Sequence, residues 1–281
     1  RGAPPPPPPP SAPPPLPFSQ QMAAGGCSVV GGPVDVRTQL LVFGMSRSGT
    51  SLTTSIVASL LRSGQLSDQT WRGEAAAYPT DRLNKRGYFE RHDVVNLNYK
   101  TIYEATGEPW IRFPAGFAAH PTLLNFTDSA QARTKRANFV AAASKILREM
   151  DVHAPWVLKD VRFGRTLPLW WPLLRQPVCI IPYRHPLEVA ESSKLHSVRL
   201  WENYITAALT STQALGCPTV LISYAQWLDP TSAQAQLTRL NNFLRCAQVC
   251  SRHCGAAAPR FIYSPRLVLP LPCAAAGERY R

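Results

Sequence analysis

Long apolar runs are missing. No stretch of roughly 18 consecutive apolar residues occurs in the 281-residue chain, which excludes a membrane-spanning helix within it. The most apolar segment, residues 167–174, is short and interrupted by Pro168 and Pro172. Heptads are missing too, as is any repeat of roughly 20–50 residues, which excludes a coiled coil and a solenoid. The seven cysteines form no CxxC pair, so neither a zinc ribbon nor a thioredoxin motif is expected. Cys246, Cys250 and Cys254 recur every fourth residue beside His253, and on a helix they share one face. Apolar packing is the expectation there rather than metal, because a structural site needs four well-placed ligands. Acidic residues are scarce: 17 Asp and Glu stand against 30 Lys and Arg, a net charge of +13. Such a field favours an anionic partner without choosing among nucleic acid, acidic membrane, polyanion and a phosphate-bearing ligand.

Proline is plentiful and unevenly spread. It fills 11 of the first 17 positions, including the unbroken run 4–10. That run adopts extended polyproline II and buries no core. Residues 1–36 therefore read as a disordered Pro/Gly-rich tail, either a spacer or a ligand for a proline-binding module. The chain opens on Arg1 rather than Met. The native start is thus expected to be missing, and an upstream targeting signal and the compartment stay open. Residues 37–250 hold one globular domain, and 251–281 form a weakly patterned C-terminal segment.

Within the domain, strand and helix signals alternate. Residues 39–43 (QLLVF) form an apolar run suited to a buried parallel strand. Helical spacing follows over 50–63, where Leu52, Ile56, Leu60 and Leu61 recur, and a helix is expected over 90–106. Residues 129–150 form an amphipathic helix with Phe139, Ala143, Ile146, Leu147 and Met150 on one face and a basic remainder. Strands are expected at 156–158, 178–183 and 219–223, and helices at 200–215 and 233–244. The alternation predicts an α/β fold of P-loop type, three αβα layers around a central parallel sheet.

Between the first strand and its helix lies Gly44-Met45-Ser46-Arg47-Ser48-Gly49-Thr50-Ser51. Two glycines at this spacing let a ring of backbone N–H groups close around a phosphate at a helix N-terminus. The loop departs from Walker A, which needs Lys after the second glycine; Thr50 stands there, and the only cation is Arg47. An ATPase or GTPase is therefore not the first expectation. A second anion grip follows the strand at 178–183. Arg184 sits at a strand's carboxyl end, where open α/β sheets bind ligands, and Ser192 lies two turns into the next helix. Taken alone, Arg184 reads first as a salt-bridged surface residue.

Together these motifs resemble the sulfotransferases that use 3′-phosphoadenosine 5′-phosphosulfate (PAPS). Arg47-Ser48-Gly49-Thr50-Ser51 resembles that family's 5′-phosphosulfate loop, and Arg184 with Ser192 eight residues on resembles its 3′-phosphate site. Ser223-Tyr224 with Asp229-Pro230 is similar to a later segment whose tyrosine lies near the adenine, although Ala225-Gln226 replaces Glu-Asp. Gly87-Tyr88-Phe89-Glu90 and Lys159-Asp160-Val161-Arg162 resemble the family's G-Y-[WF]-E and K-D-P-R signatures, with Val161 in place of proline.

The resemblance implies in-line transfer of a sulfuryl group from PAPS to a hydroxyl- or amine-bearing acceptor, without a metal and without nucleic acid as partner. It implies that Arg47, Ser48, Gly49, Thr50, Ser51, Arg184, Ser192 and Tyr224 hold PAPS. Arg47 serves the leaving-group side, Lys159 steadies the transferring group, and Glu90 is the general base, with Glu74 its rival and His92 and Asp68 behind. Asp160 is expected to orient its neighbours or to cap the next segment. Trp71, Trp110, Trp170 and Trp171 either line an acceptor cleft or pack in the core. Two other readings remain: a Mg-ATP-dependent P-loop kinase or NTPase, and a non-enzymatic binder of polyanions.

Overall fold

The computed structural model describes residues 38–60, 87–111, 130–175, 177–192, 197–253, 261–264 and 267–270. Four strands form one parallel sheet: β1 (Gln39–Val42), β2 (Trp156–Lys159), β3 (Pro177–Tyr183) and β4 (Thr219–Ser223), in the order β2-β1-β3-β4. Val42 pairs with Lys159 on one side and with Ile180 on the other, and Tyr183 pairs with Ser223. Helices follow the strands: α1 (Thr50–Leu60), α2 (His92–Thr106), α3 (Ala130–Asp151), α4 (Phe163–Trp170), α5 (Pro186–Ser192), α6 (Val198–Leu215), α7 (Tyr224–Leu228) and α8 (Pro230–His253). A short hairpin, β5 (Phe261–Ser264) with β6 (Leu267–Pro270), lies in the segment that reads as weakly patterned.

The strands are buried on both faces, so their sequences are apolar without alternation, as a covered parallel sheet requires. The pleat then sorts neighbours to opposite sides. Leu40, Val42, Val178, Ile180, Val220 and Ile222 pack with Val57 of α1 and Leu240 and Leu244 of α8. Leu41, Phe43, Leu158, Cys179 and Ile181 pack with Phe139, Ile146 and Leu147 of α3, Phe163 and Trp170 of α4, and Ala208 of α6. Helices thus cover both faces, and the sheet is the middle of three layers.

Trp170 is fully buried, its ring edge-on to Phe139 at 5.4 Å between centroids, and its Nε1 donates to Asn98 Oδ1 at 2.8 Å. It is core, as is partly buried Trp171 beside it, so neither lines a cleft. Trp71 lies outside the described residues.

One helix is absent from the sequence expectations and another starts earlier than they give. Residues 163–170 form a helix although Pro168 lies inside it. Pro168 has no N–H for the Gly164 carbonyl, and Ser211 Oγ of α6 donates to that carbonyl instead, at 2.8 Å. Gly164 also lets α6 come close: a Cβ there would sit 3.2 Å from the Ala208 backbone. Helix α8 starts at Pro230, earlier than the apolar spacing indicates. Asp229 stands before it as a cap, accepting from the Thr231 backbone N–H and the Ser232 hydroxyl. Cys179 and Cys217 form a disulfide across β3 and the turn into β4. Cys246, Cys250 and His253 fall within α8, and Cys254 lies outside the described residues.

Candidate functional site

The strand order makes the site. The chain leaves β1 toward β2, then crosses to β3 on the other side, so β1 is where the order reverses and a crevice opens at the strands' carboxyl ends. All four ends carry residues singled out from the sequence: the 44–49 loop after β1, Lys159 and Asp160 at β2, Arg184 after β3, and Tyr224 after β4.

The loop is tightly wound. Gly44 has φ +148°, Gly49 φ +84°, and Arg47, without a glycine's freedom, φ 67°. A non-glycine residue held there costs about 1–3 kcal/mol, and such strain concentrates at functional loops. Left-handed residues interspersed in a loop are the backbone pattern of many anion-binding turns, and within this one the Ser48 N–H donates to Met45 O at 3.3 Å. Both glycines are also required by close neighbours. A Cβ on Gly44 would lie 2.9 Å from Pro182 O of β3, and one on Gly49 would overlap the Tyr224 ring. Ser48 is fully buried, and its Oγ has no hydrogen-bond partner among the described residues. A buried hydroxyl with no partner among the described residues, just before a helix N-terminus, is a feature a bound phosphate oxygen satisfies.

From Gly49 the contacts run on to the β3–β4 side. Tyr224 lies against Gly49, and the Arg184 guanidinium lies over the Tyr224 ring at 4.8 Å from its centroid. Arg184 Nε also donates to Glu188 Oε2 at 2.8 Å, a half-exposed pair one helical turn apart. Ser192 Oγ donates to Val189 O at 2.9 Å, so its hydroxyl proton is engaged within α5.

On the β2 side the charges are buried. Lys159 Nζ donates to Glu90 Oε1 at 2.5 Å, and both side chains are under a tenth exposed. Burial pushes the Glu90 carboxyl above its usual range, against the attraction of Lys159. Asp160, fully buried, accepts from Asn98 Nδ2 at 2.8 Å and from the Arg162 backbone N–H and Nη1 at 2.9 and 2.7 Å. It thus both holds its neighbours' side chains and caps the segment that begins at Arg162.

Glu90 is delivered by a contorted segment, with Gly87 at φ +96° and Phe89 at φ 55°, an unusual conformation for a bulky side chain. Ser51 Oγ of α1 donates to Tyr88 O at 3.4 Å and ties this segment to the loop's helix. Glu74 and Asp68 lie outside the described residues. His92 is exposed on α2, next to Asn96 Nδ2 at 3.3 Å. Trp110 is half-buried and packs with Tyr204 against Met45 of the loop.

Sequence reasoning named Glu90 and Lys159 separately and missed that they form one pair; they are 69 positions apart, and only β2's place beside β1 brings them together. It left Tyr204 and Arg165 without roles, although Arg165 lies over the Tyr204 ring at 5.1 Å. Tyr204, one of many polar residues in α6, gives no sequence signal. Among the described residues no group of three or more His, Cys, Asp or Glu is placed to hold a metal ion. Among the described residues no helix is long and apolar enough to cross a membrane. No family model, no curated protein and no solved structure matches the chain.

Proposed function

We propose that this chain transfers a sulfuryl group from PAPS to a hydroxyl or amine acceptor. The observation that carries the reading is the continuous chain of contacts from the strained 44–49 loop through Tyr224 to Arg184. A glycine-bounded loop at a helix N-terminus and an arginine fork at neighbouring strand ends suit the two phosphate-bearing ends of one adenosine bisphosphate. Ser48, with its unpaired buried hydroxyl, Gly49, Thr50 and Ser51 would hold the 5′-phosphate. Arg184 would hold the 3′-phosphate by exchanging Glu188 for it, and Tyr224 would lie against the adenine.

The acceptor oxygen attacks sulfur as the bond from sulfur to the 5′-phosphate oxygen breaks. The acceptor proton goes to Glu90, and adenosine 3′,5′-bisphosphate departs. Burial, which raises the Glu90 pKa, makes it a better proton acceptor once ionised. As Glu90 is protonated, Lys159 loses its partner's charge at the moment negative charge grows on the bridging oxygen, so its ammonium turns to that charge. Arg47 supports the departing phosphate.

The test is a melting experiment on the full chain with adenosine 3′,5′-bisphosphate and, separately, Mg-ATP. The bisphosphate is expected to raise Tm without metal, and Arg184→Ala to abolish most of that rise. Stabilisation by Mg-ATP alone would move the reading to a P-loop kinase. Strongly salt-dependent DNA binding, indifferent to Arg47→Ala, would move it to a polyanion binder.

A further inference from the structure

Helix α8 treats the outer side of β4 as a neighbouring strand would. Among the described residues no strand pairs with that side, and two side chains of α8 take its backbone groups instead. Gln236 is only 2% exposed. Its Oε1 accepts from the Ser223 N–H and its Nε2 donates to Ser223 O, both at 2.9 Å. Arg239 Nη2 donates to Leu221 O at 2.8 Å. A planar amide that takes both the N–H and the C=O of one residue restrains that residue in height along the strand and in rotation about it.

The restrained residue is the one before Tyr224. Ser223 ends β4, and Tyr224 opens α7. The Ser223 hydroxyl caps α7, accepting from the Gln226 N–H at 3.5 Å. A helix of five residues does not hold itself together, so α7 stands where its contacts put it. Its other end is tied to α1, the helix that follows the 44–49 loop, by Trp227 Nε1 donating to Thr53 Oγ1 at 3.2 Å. Between these two ties the Tyr224 ring lies so close to Gly49 that a Cβ there would overlap it. The Arg184 guanidinium lies over the same ring, 4.8 Å from its centroid. One ring therefore touches both anion grips. Two grips on a fixed spacer tell ligands of equal charge apart by where the charges sit; two grips on a loose one do not.

We propose that Gln236 is a positioning residue: by clamping Ser223 it sets Tyr224 as the spacer between the 44–49 loop and Arg184, and so makes the site select a 3′,5′-bisphosphate over a 2′,5′-bisphosphate. The inference rests on the sulfuryl-transfer reading of the crevice and adds to it the residue that fixes the distance between the two phosphates.

The experiment titrates adenosine 3′,5′-bisphosphate and, separately, adenosine 2′,5′-bisphosphate into the full chain. The two ligands share base, charge and number of phosphates, so general damage to the site weakens both alike and leaves the ratio of their affinities. The unaltered chain is expected to prefer the 3′,5′-isomer by about tenfold or more, the worth of one charge-assisted contact. Gln236→Leu keeps most of the bulk and removes both hydrogen bonds, and is expected to bring the ratio within about threefold. Gln236→Glu keeps the acceptor for the Ser223 N–H, loses the donor to Ser223 O, and is expected to fall between the two. Tyr224→Ala removes the spacer itself and serves if the leucine variant does not fold; it too is expected to bring the ratio within about threefold.

Two results would overturn the proposal: an unaltered chain that binds the bisphosphates without preferring the 3′,5′-isomer, or a ratio in Gln236→Leu or Tyr224→Ala equal to that of the unaltered chain. The second result, with both affinities lowered in parallel, would leave Gln236 as a support of the fold alone. Failure of the sulfuryl-transfer reading looks different: the unaltered chain then binds neither isomer.

Discussion

The two sides of the 44–49 loop hold their charges differently. On the β3–β4 side, the Arg184 and Glu188 side chains are 23% and 49% exposed. On the β2 side, those of Lys159 and Glu90 are 2% and 8% exposed. A half-exposed pair is worth about 0–1 kcal/mol and exchanges partners readily. A buried pair cannot do so, because removing either member leaves a charge without water or partner, at about 3–5 kcal/mol. The open side therefore suits a nucleotide that arrives and departs. The closed side suits groups that must stay in place while a proton moves. In the proposed reaction these are the binding half and the chemical half of one crevice.

The sharpest way to break this division is Glu90→Gln. Turnover of labelled PAPS is expected to fall about 10³-fold, within the usual contribution of a general base. Bisphosphate affinity should stay unchanged, because the open side is untouched. The variant leaves Lys159 charged and buried, so stability is expected to drop by about 3 kcal/mol. Glu90→Gln/Lys159→Met removes both charges and should recover most of that stability while remaining inactive. Active Glu90→Gln together with inactive Glu74→Gln would transfer the role of base to Glu74. The pH profile adds a second check. Glu90 works ionised, and burial holds its pKa above the usual 4.5, so the rate is expected to fall as pH drops through a value above 4.5. A limb at or below 4.5 excludes Glu90.

Next in size is the disulfide. Cys179 and Cys217 are 38 residues apart, and the loop they close carries Arg184, Glu188, α5 and α6. In the chain-entropy account, closing a loop of that length contributes about 4 kcal/mol. Cys179→Ala/Cys217→Ala is expected to lower Tm by roughly 10 °C. Residual bisphosphate affinity, measured well below that Tm, should fall only if the loop also orients Arg184.

The sheet and the loop were legible because their signals are local. The covered strands read as short apolar runs, and the spacing of Gly44 and Gly49 marks the turn whatever surrounds it. The rest depends on partners distant in sequence. Helix α4 has no signal of its own in the sequence, because what tolerates Pro168 inside it, the Ser211 hydroxyl on the Gly164 carbonyl, lies 47 positions away. The disulfide is hidden by an odd cysteine count and is set by β3 lying beside β4. Glu90 and Lys159 were each found as motif residues, yet their pairing follows from a crossover that neither segment encodes.

Arg184→Ala tests the open side directly. It removes a charge-assisted contact to the 3′-phosphate, worth about 1.5–3 kcal/mol, so bisphosphate affinity should fall roughly 10- to 100-fold. The fold should be unaffected, since only a surface pair is lost. Unchanged affinity would remove Arg184 from the site and leave Tyr224 facing an arginine with no ligand role.

Glu188→Gln is the smallest perturbation and separates two meanings of the Arg184 pair. If Glu188 only occupies the guanidinium until a phosphate arrives, removing its charge ends a competition. Bisphosphate affinity should then rise, by no more than about fivefold given the worth of an exposed pair. If Glu188 instead holds Arg184 over the Tyr224 ring in the binding pose, affinity should fall. Salt distinguishes these further. The competing pair weakens as ionic strength rises, so the advantage of the variant should shrink between 0.05 and roughly 0.5 M salt as screening shortens. A rise that persists at high salt would mean that Glu188 acts through the shape of α5 rather than its charge, and the open side would be less adaptable than its exposure indicates.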